Sequence, residues 1–444
     1  MLRILTIPLL LALAACAAAP AVPEPAPALP VHAAWWNAFG SADLRARVEE
    51  AQAQNLDVAA AGARLQQAEA LVRGADANLW PSVSLAVGAS REGRWSGDAP
   101  VAGNAHAATL VTRYEVDLWG GQRGLRESAK ADLRASTFDR DAVRLAVGAG
   151  TASAWLRTVG LRDRVAIAEL NLADAERLLG LVEARQRAGA ATPLELAQQR
   201  GIVATQRRVL LALQREAADS RVLLAVWLGR QAATPPVAGT LDELRVPPFD
   251  AGLPSDLLAR RPDVARAEAR LAAADADIEV ARAAMLPSLS LSAGIGTGGG
   301  RWRDLFESPL YTLAAGLAAP IFDAGKLAAG RDLAVARREE LLAGYRSSIV
   351  AAFADAQAAL QALASLDAER VAQAEVQKQA RQALAIAESR YRAGAETLLT
   401  LLDAQRTLYA ALDAGSQLQL ARLEASVGLY KALGGGWGLG AATL

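Results

Sequence analysis

The chain says one thing twice. Glu183 to Arg200 reads EARQRAGAATPLELAQQR and Glu388 to Arg406 reads ESRYRAGAETLLTLLDAQR, with six identities in the first eight positions and Gly189 and Gly394 lying 394 − 189 = 205 residues apart. The period recurs elsewhere. Leu79-Trp80-Pro81-Ser82-Val83-Ser84-Leu85 matches Met285-Leu286-Pro287-Ser288-Leu289-Ser290-Leu291, Trp119-Gly120-Gly121-Gln122 parallels Asp323-Ala324-Gly325-Lys326, and Trp227-Leu228-Gly229 parallels Ala432-Leu433-Gly434. A repeat this long is too long for a solenoid unit. The chain is therefore expected to be two intertwined halves of one domain, residues 41–233 and 255–434, joined by a connection at 234–254 that carries Pro235-Pro236 and Pro247-Pro248.

Each half opens with a helical stretch that ends before a proline: Ser41 to Asn78 before Pro81, and Leu257 to Met285, restarting at Ser255, before Pro287. Strict alternation follows, which marks strands. Val83, Leu85, Val87 and Ala89 face away from Ser82, Ser84, Ala86 and Gly88; after a polar loop, Leu110, Thr112, Tyr114, Val116 and Leu118 oppose Val111, Arg113, Glu115 and Asp117. The second half repeats this with Leu289, Leu291, Ala293 and Ile295, then with Tyr311 to Ile321. If the apolar face meets lipid, four strands leave two intolerable unpaired edges, and two, three or four chains sharing one barrel would supply 8, 12 or 16 strands. Alternation alone does not choose between such a membrane barrel and a soluble sandwich; the N-terminal segment, Met1 to Cys16, tips the choice toward the outer membrane.

From Gly121 to Ala188 and from Gly325 to Ala393 there is no proline, and alanine, leucine, arginine and glutamate dominate. One continuous helix over either window would be about 100 Å long. Helices of that length persist only side by side, as coiled coil. Each is expected to turn at an Ala-Gly-Ala, where Gly189 and Gly394 can take the left-handed cap conformation, before a second helix begins.

The first fifteen residues hold an early arginine, an apolar run from Ile4 to Ala15 too short to span a bilayer, and small residues, the pattern of a secretory signal. It ends Leu13-Ala14-Ala15-Cys16, which resembles the lipobox of bacterial lipoproteins, where the cysteine receives a lipid after cleavage. Residues 16–40 would then be a lipidated tether, proline-rich to residue 30 and closing on the aromatic cluster Trp35-Trp36-Asn37-Ala38-Phe39, read as core packing. Residues 435–444 form a glycine-rich tail.

Composition excludes more than it suggests. Lys plus Arg and Asp plus Glu both total 47, a balance that gives little support to nucleic-acid binding. Two histidines, His32 and His106, and one cysteine are too few for a zinc site or an internal disulfide. No nucleophile with its base, no carboxylate pair and no ligand cluster stands out, so no enzyme, cofactor or metal is expected.

The duplicated order, with Leu-Pro-Ser-Leu-Ser-Leu, Pro320-Ile321-Phe322-Asp323-Ala324-Gly325, Tyr391-Arg392-Ala393-Gly394 and Leu402-Asp403-Ala404-Gln405-Arg406, resembles the TolC-type outer-membrane efflux factors. The lipobox and Arg261-Pro262-Asp263-Val264 are most similar to their NodT-like lipoprotein branch, which includes OprM. The resemblance implies a mainly α homotrimer with a membrane β-barrel part: a 12-stranded barrel in the outer membrane, continuous with a helical periplasmic tunnel. It implies docking of the hairpin tips at Gly189 and Gly394 onto a periplasmic adaptor (membrane fusion protein) and an inner-membrane pump, usually of the resistance-nodulation-division (RND) class. The expected task is passive export of drugs or other small toxic compounds; the alternatives are the outlet of a type I protein secretion system and a non-conducting periplasmic scaffold lipoprotein.

The resemblance also implies a periplasmic gate at Leu399 and Asp403, which stand one helical turn apart, with Tyr391, Arg392 and Glu396 holding neighbouring coils together. On a threefold axis Leu399 would be an apolar constriction and Asp403 a carboxylate ring that attracts cations. TolC has a second acidic ring one turn earlier, where this chain has Thr400, so a weaker cation preference is expected. The first copy has Ala197 at the equivalent of Asp403, so only the second hairpin could supply the ring. Trp95 and Trp302, in loops between strands, are candidate interfacial anchors.

Overall fold

The structure, a computed structural model, describes residues 34–91, 103–232, 237–246, 261–301, 307 and 309–435. The signal segment, Cys16, His32 and most of the tether lie outside these residues, as do Trp95, Trp302, both proline pairs, the helix restart at Ser255 and Leu257, and nearly all of the C-terminal tail.

Eleven elements follow the duplicated plan among the described residues, beside short 3-10 turns at Trp35–Phe39 and Leu241–Glu243. The first half holds α1 (Ala42–Gln54), α2 (Leu56–Ala77), β1 (Ser82–Arg91), β2 (Asn104–Val116), α3 (Gly121–Arg187) and α4 (Pro193–Trp227). The second holds α5 (Pro262–Ala283), β3 (Ser288–Gly299), β4 (Pro309–Ala318), α6 (Lys326–Arg392) and α7 (Leu398–Ala432). Both long helices have 67 residues and both return helices 35, so the repeat extends to the length of every tunnel element.

β2 starts earlier than the sequence reading, at Asn104 rather than Leu110, and β3 runs past Ile295 to Gly299; three other boundaries differ, each for a local reason. The stretch from Ser41 to Asn78 is two helices, because Asn55 takes an extended conformation and its side chain accepts from the Asp57 and Val58 N–H groups, capping α2. The Asn55 amide also donates to the Trp227 carbonyl, 3.0 Å away, which ties the break to the end of α4. β2 stops at Val116, short of Leu118, because the Asp117 carboxylate accepts from the Gln122 and Arg123 N–H groups and starts α3. β4 likewise stops at Ala318, short of Ile321, and Asp323 accepts from the Gly325 and Leu327 N–H groups ahead of α6. In each half an aspartate therefore fixes where the sheet hands over to the long helix.

The four strands form one antiparallel sheet in the order β1-β2-β3-β4, so the two halves meet at β2 and β3. β1 and β4 are its outer strands. Below the sheet, the main core gathers Trp35, Trp36 and Phe39 with Val48 of α1, Trp155 and Val159 of α3, Leu224 of α4 and Tyr430 of α7. Trp35 stacks on Tyr430 with ring centroids 5.0 Å apart, and the Trp155 indole N–H donates to Asp43 at 2.8 Å. The aromatic cluster is thus the packing unit expected from the sequence, joining the N-terminus to the C-terminal turns of α7.

Candidate functional site

The register of the sheet decides which side chains share a face. Leu85, Leu110, Ile295 and Tyr311 fall in one row across all four strands, and Val83, Thr112, Ala293 and Leu313 in another. The opposite face is small and hydroxylated: Ser84, Val111, Gly294 and Thr312 form one row, and Ser82, Arg113, Ser292 and Ala314 the next. The alternation read strand by strand is therefore summed, without a slip, into one continuous apolar surface. Leu85, Ile295, Tyr311, Leu313 and Leu317 are exposed on it, a surface suited to hydrocarbon rather than water.

At the far end of the helices, both hairpins turn in the same way. Gly189 and Gly394 each have φ of 74°, in the left-handed region. Ala190 N–H donates to the Arg185 carbonyl at 2.8 Å and Gly189 N–H to Gln186 at 2.9 Å; Ala395 and Gly394 repeat this onto Arg390 and Tyr391 at 2.9 and 3.0 Å. These paired bonds satisfy the last carbonyls of each long helix and reverse the chain. α4 then starts on a capping box between Thr192 and Glu195, and α7 on Thr397, whose hydroxyl accepts from the Thr400 N–H.

The first turns of α7 separate its leucines. Leu398, Leu401 and Leu402 are buried in a core shared by both hairpins, whereas Leu399 is 64% exposed. Asp403, one turn on, has 74% of its side chain exposed, and among the described residues its carboxylate meets only Arg406, at 3.4 Å. The two proposed gate residues thus share a face that the chain's own core leaves uncovered. Arg406 was not singled out from the sequence, and it sets a cation beside each carboxylate of any ring.

Tyr391 is buried, and its ring lies under the Arg185 guanidinium, 4.4 Å from the ring centroid. Arg185 also donates to the Tyr391 carbonyl, so this pair joins α3 of the first hairpin to α6 of the second. Arg392 pairs with Glu388 in its own helix, and Glu388 is held in turn by both terminal nitrogens of Arg177 on α3. The Arg177 hydrogen bonds, ahead of a partial burial that opposes them, keep the Glu388 carboxyl below the usual glutamate range. Glu396 accepts from the Thr397 N–H and the Thr400 hydroxyl, both at 3.1 Å, and these bonds stay within its own turn. The cross-hairpin contacts are completed by Arg164, which grips Asp413 with nitrogens at 2.6 and 3.1 Å. Sequence reading missed Arg177, Arg185 and Glu388; a signal was present, since Glu388 opens the repeated stretch and Arg185 lies within its first copy.

No group of three or more His, Cys, Asp or Glu able to hold a metal occurs among the described residues. What the geometry provides is a wall, an anchor face and a tip: the class of protein defined is a barrel-and-tunnel channel subunit of a bacterial outer membrane. The chain belongs to the outer membrane efflux protein family, whose model matches residues 48–230 and 253–435. The pyoverdine export outer membrane protein OpmQ of Pseudomonas putida is 45% identical over 384 residues, covering 84% of this chain and 82% of that protein. Outer membrane protein OprJ of Pseudomonas aeruginosa is 32% identical, covering 89% and 88%. The crystal structure of the outer membrane protein VceC of Vibrio cholerae superposes with a TM-score of 0.83 at 26% identity, covering 91% of this chain and 99% of that one. This chain is accordingly the outer-membrane channel component of an efflux system, a conduit with a periplasmic tunnel and not an enzyme. Family members of this kind work within tripartite pumps.

Proposed function

We propose that three copies of this chain close their sheets edge to edge into one 12-stranded barrel and their helical hairpins into one tunnel. The observation that carries this is the sheet itself, with an unbroken apolar face, a small hydroxylated face, and β1 and β4 as edge strands. An open edge in lipid leaves backbone groups unsatisfied at several kcal/mol each, so pairing β4 of one copy with β1 of the next removes the largest penalty of insertion. A second observation supports it. α6 carries an apolar 18-residue window little buried within the single chain, and along the helix Leu333, Val350 and Val371 are exposed, a flank that a neighbouring copy would cover.

Within that assembly Leu399 and Asp403 close the periplasmic end, and the Arg185–Tyr391 and Arg177–Glu388 contacts hold the two hairpins of each copy together. The turns at Gly189 and Gly394 face the periplasmic adaptor, which hands over cargo from an inner-membrane pump of the RND class. Cys16 bears the lipid that tethers the N-terminus. The cargo is a small molecule: the similarity to a pyoverdine exporter supports compounds of that kind beside drugs and toxic solutes. Native mass spectrometry of the detergent-extracted mature protein tests the assembly. Three copies are expected; a stable monomer or dimer with folded strands would overturn it. Labelled palmitate should enter the wild type and not Cys16→Ser, and equal labelling of both would remove the anchor.

A further inference from the structure

We propose that Arg113 is a selectivity element of the barrel, three guanidiniums that draw the anionic groups of cargo into a lumen whose lining, Glu115 apart, is small and neutral. This rests on the reading of three copies closing with the small face inward.

Charge is nearly absent from the sheet. In the four strands the charged residues are Arg91, Arg113 and Glu115. Arg91 ends β1, opposite Asn104, in the alternation of the apolar face. Arg113 and Glu115 stand on the small face, both exposed. Neither enters an ion pair among the described residues, and their neighbours across the sheet are short: Ser82 and Ser292 beside Arg113, Ser290 and then Gly316 beside Glu115. The Ser82 hydroxyl donates to the Arg113 carbonyl, which fixes the strand and leaves the guanidinium free to extend.

Size and reach decide which charge the cargo meets. Twelve strands about 4.8 Å apart and tilted about 40° give a backbone radius of about 12 Å. Arginine is the longest side chain on this face and covers a large part of that radius, while Glu115, two residues on, stays nearer the wall. Near the axis the guanidiniums therefore outweigh the carboxylates. Three such charges in water at ordinary salt, less the opposing glutamates, enrich a monovalent anion about threefold. Carboxylate or phosphate groups on the cargo gain more, because a guanidinium can bond them in bidentate fashion. The channel is then bipolar, with Asp403 at its periplasmic end and Arg113 in its barrel.

The test is the reversal potential of single channels in planar bilayers under a tenfold potassium chloride gradient. Purified full-length protein is used, on a Leu399→Ala, Asp403→Ala background that removes the other proposed charged ring. Arg113→Ser should lower the chloride-to-potassium permeability ratio about threefold or more, Arg113→Lys should keep it near the parent, and Arg113→Glu should invert the preference. Heat-dependent mobility of the oligomer on gels confirms that each variant is assembled. A ratio unchanged in assembled, conducting Arg113→Ser overturns the role of Arg113 and leaves the conduit standing. If the assembled parent itself fails to conduct, the conduit reading fails, and this proposal falls with it.

Discussion

Glu388 is the position where one atom exchange should loosen the tip most cleanly. Its carboxylate is shared between Arg392 of the same helix and Arg177 of the other hairpin, and only the second contact crosses between hairpins. A hydrogen bond to a charged group contributes about 1.5–3 kcal/mol. Arg177 keeps 45% of its side chain in solvent, so screening reduces the crossing contact to about 1 kcal/mol. Glu388→Gln should therefore raise the population with separated hairpins about fivefold, a change visible as faster amide hydrogen exchange in the last turns of α6. Arg177→Ala should give a similar acceleration, and the double variant no more than either alone, because both remove the same contact. Exchange that is unchanged in both single variants, or accelerations that multiply to about 25-fold in the double, would refute the assignment.

Three further outcomes follow from the same structure. Because the folded Glu388 carboxyl lies below its ordinary value of 4.5, its contribution is full above that pH and lost as pH falls below it through the folded value; the exchange difference between wild type and Glu388→Gln should therefore vanish in that acid range. Two glycine-to-alanine changes in α3 should act in opposite directions on thermal stability. At Gly150 a Cβ would sit 2.4 Å from the Trp227 ring, so overpacking of about 1–3 kcal/mol exceeds the gain in helix propensity, while at Gly180 nothing lies within 4 Å and the gain of up to about 1 kcal/mol remains. Arg261 bonds Asp263, Asp355 and the Ala432 carbonyl with only 10% of its side chain exposed, but the carboxylates it would strand are 34% and 57% exposed, so Arg261→Ala should cost about 1.5–3 kcal/mol by denaturant unfolding, and Arg261→Lys should recover only part of it.

Much of the fold was legible because the chain states it twice. A 205-residue period, four alternating segments and two proline-free windows gave the strands, the continuous long helices and the tips, and the pairing register then placed every apolar set on one side. The break at Asn55 escaped notice because its evidence is an asparagine capping a helix from inside an otherwise helical composition. The ends of β2 and β4 were drawn too late because alternation runs past Asp117 and Asp323, whose carboxylates belong to the following helix. At the tip, sequence distinguished Leu399 and Asp403 by a resemblance and by one-turn spacing. It could not separate Leu399 from Leu398, Leu401 and Leu402, since the shared hairpin core decides which leucine is left outside. The Arg177–Glu388 and Arg185–Tyr391 contacts span more than 200 residues, and no local pattern reports such a meeting.

We propose that the passive conduit is closed at its periplasmic end by Leu399 and Asp403. Single-channel conductance of the purified protein in planar bilayers, wild type beside the Leu399→Ala, Asp403→Ala double variant, tests it most directly. A small or flickering wild-type current that becomes large and steady in the variant is expected. Equally large currents from both would contradict the gate, and no current from either, although the protein is folded and inserted as an oligomer, would contradict the conduit.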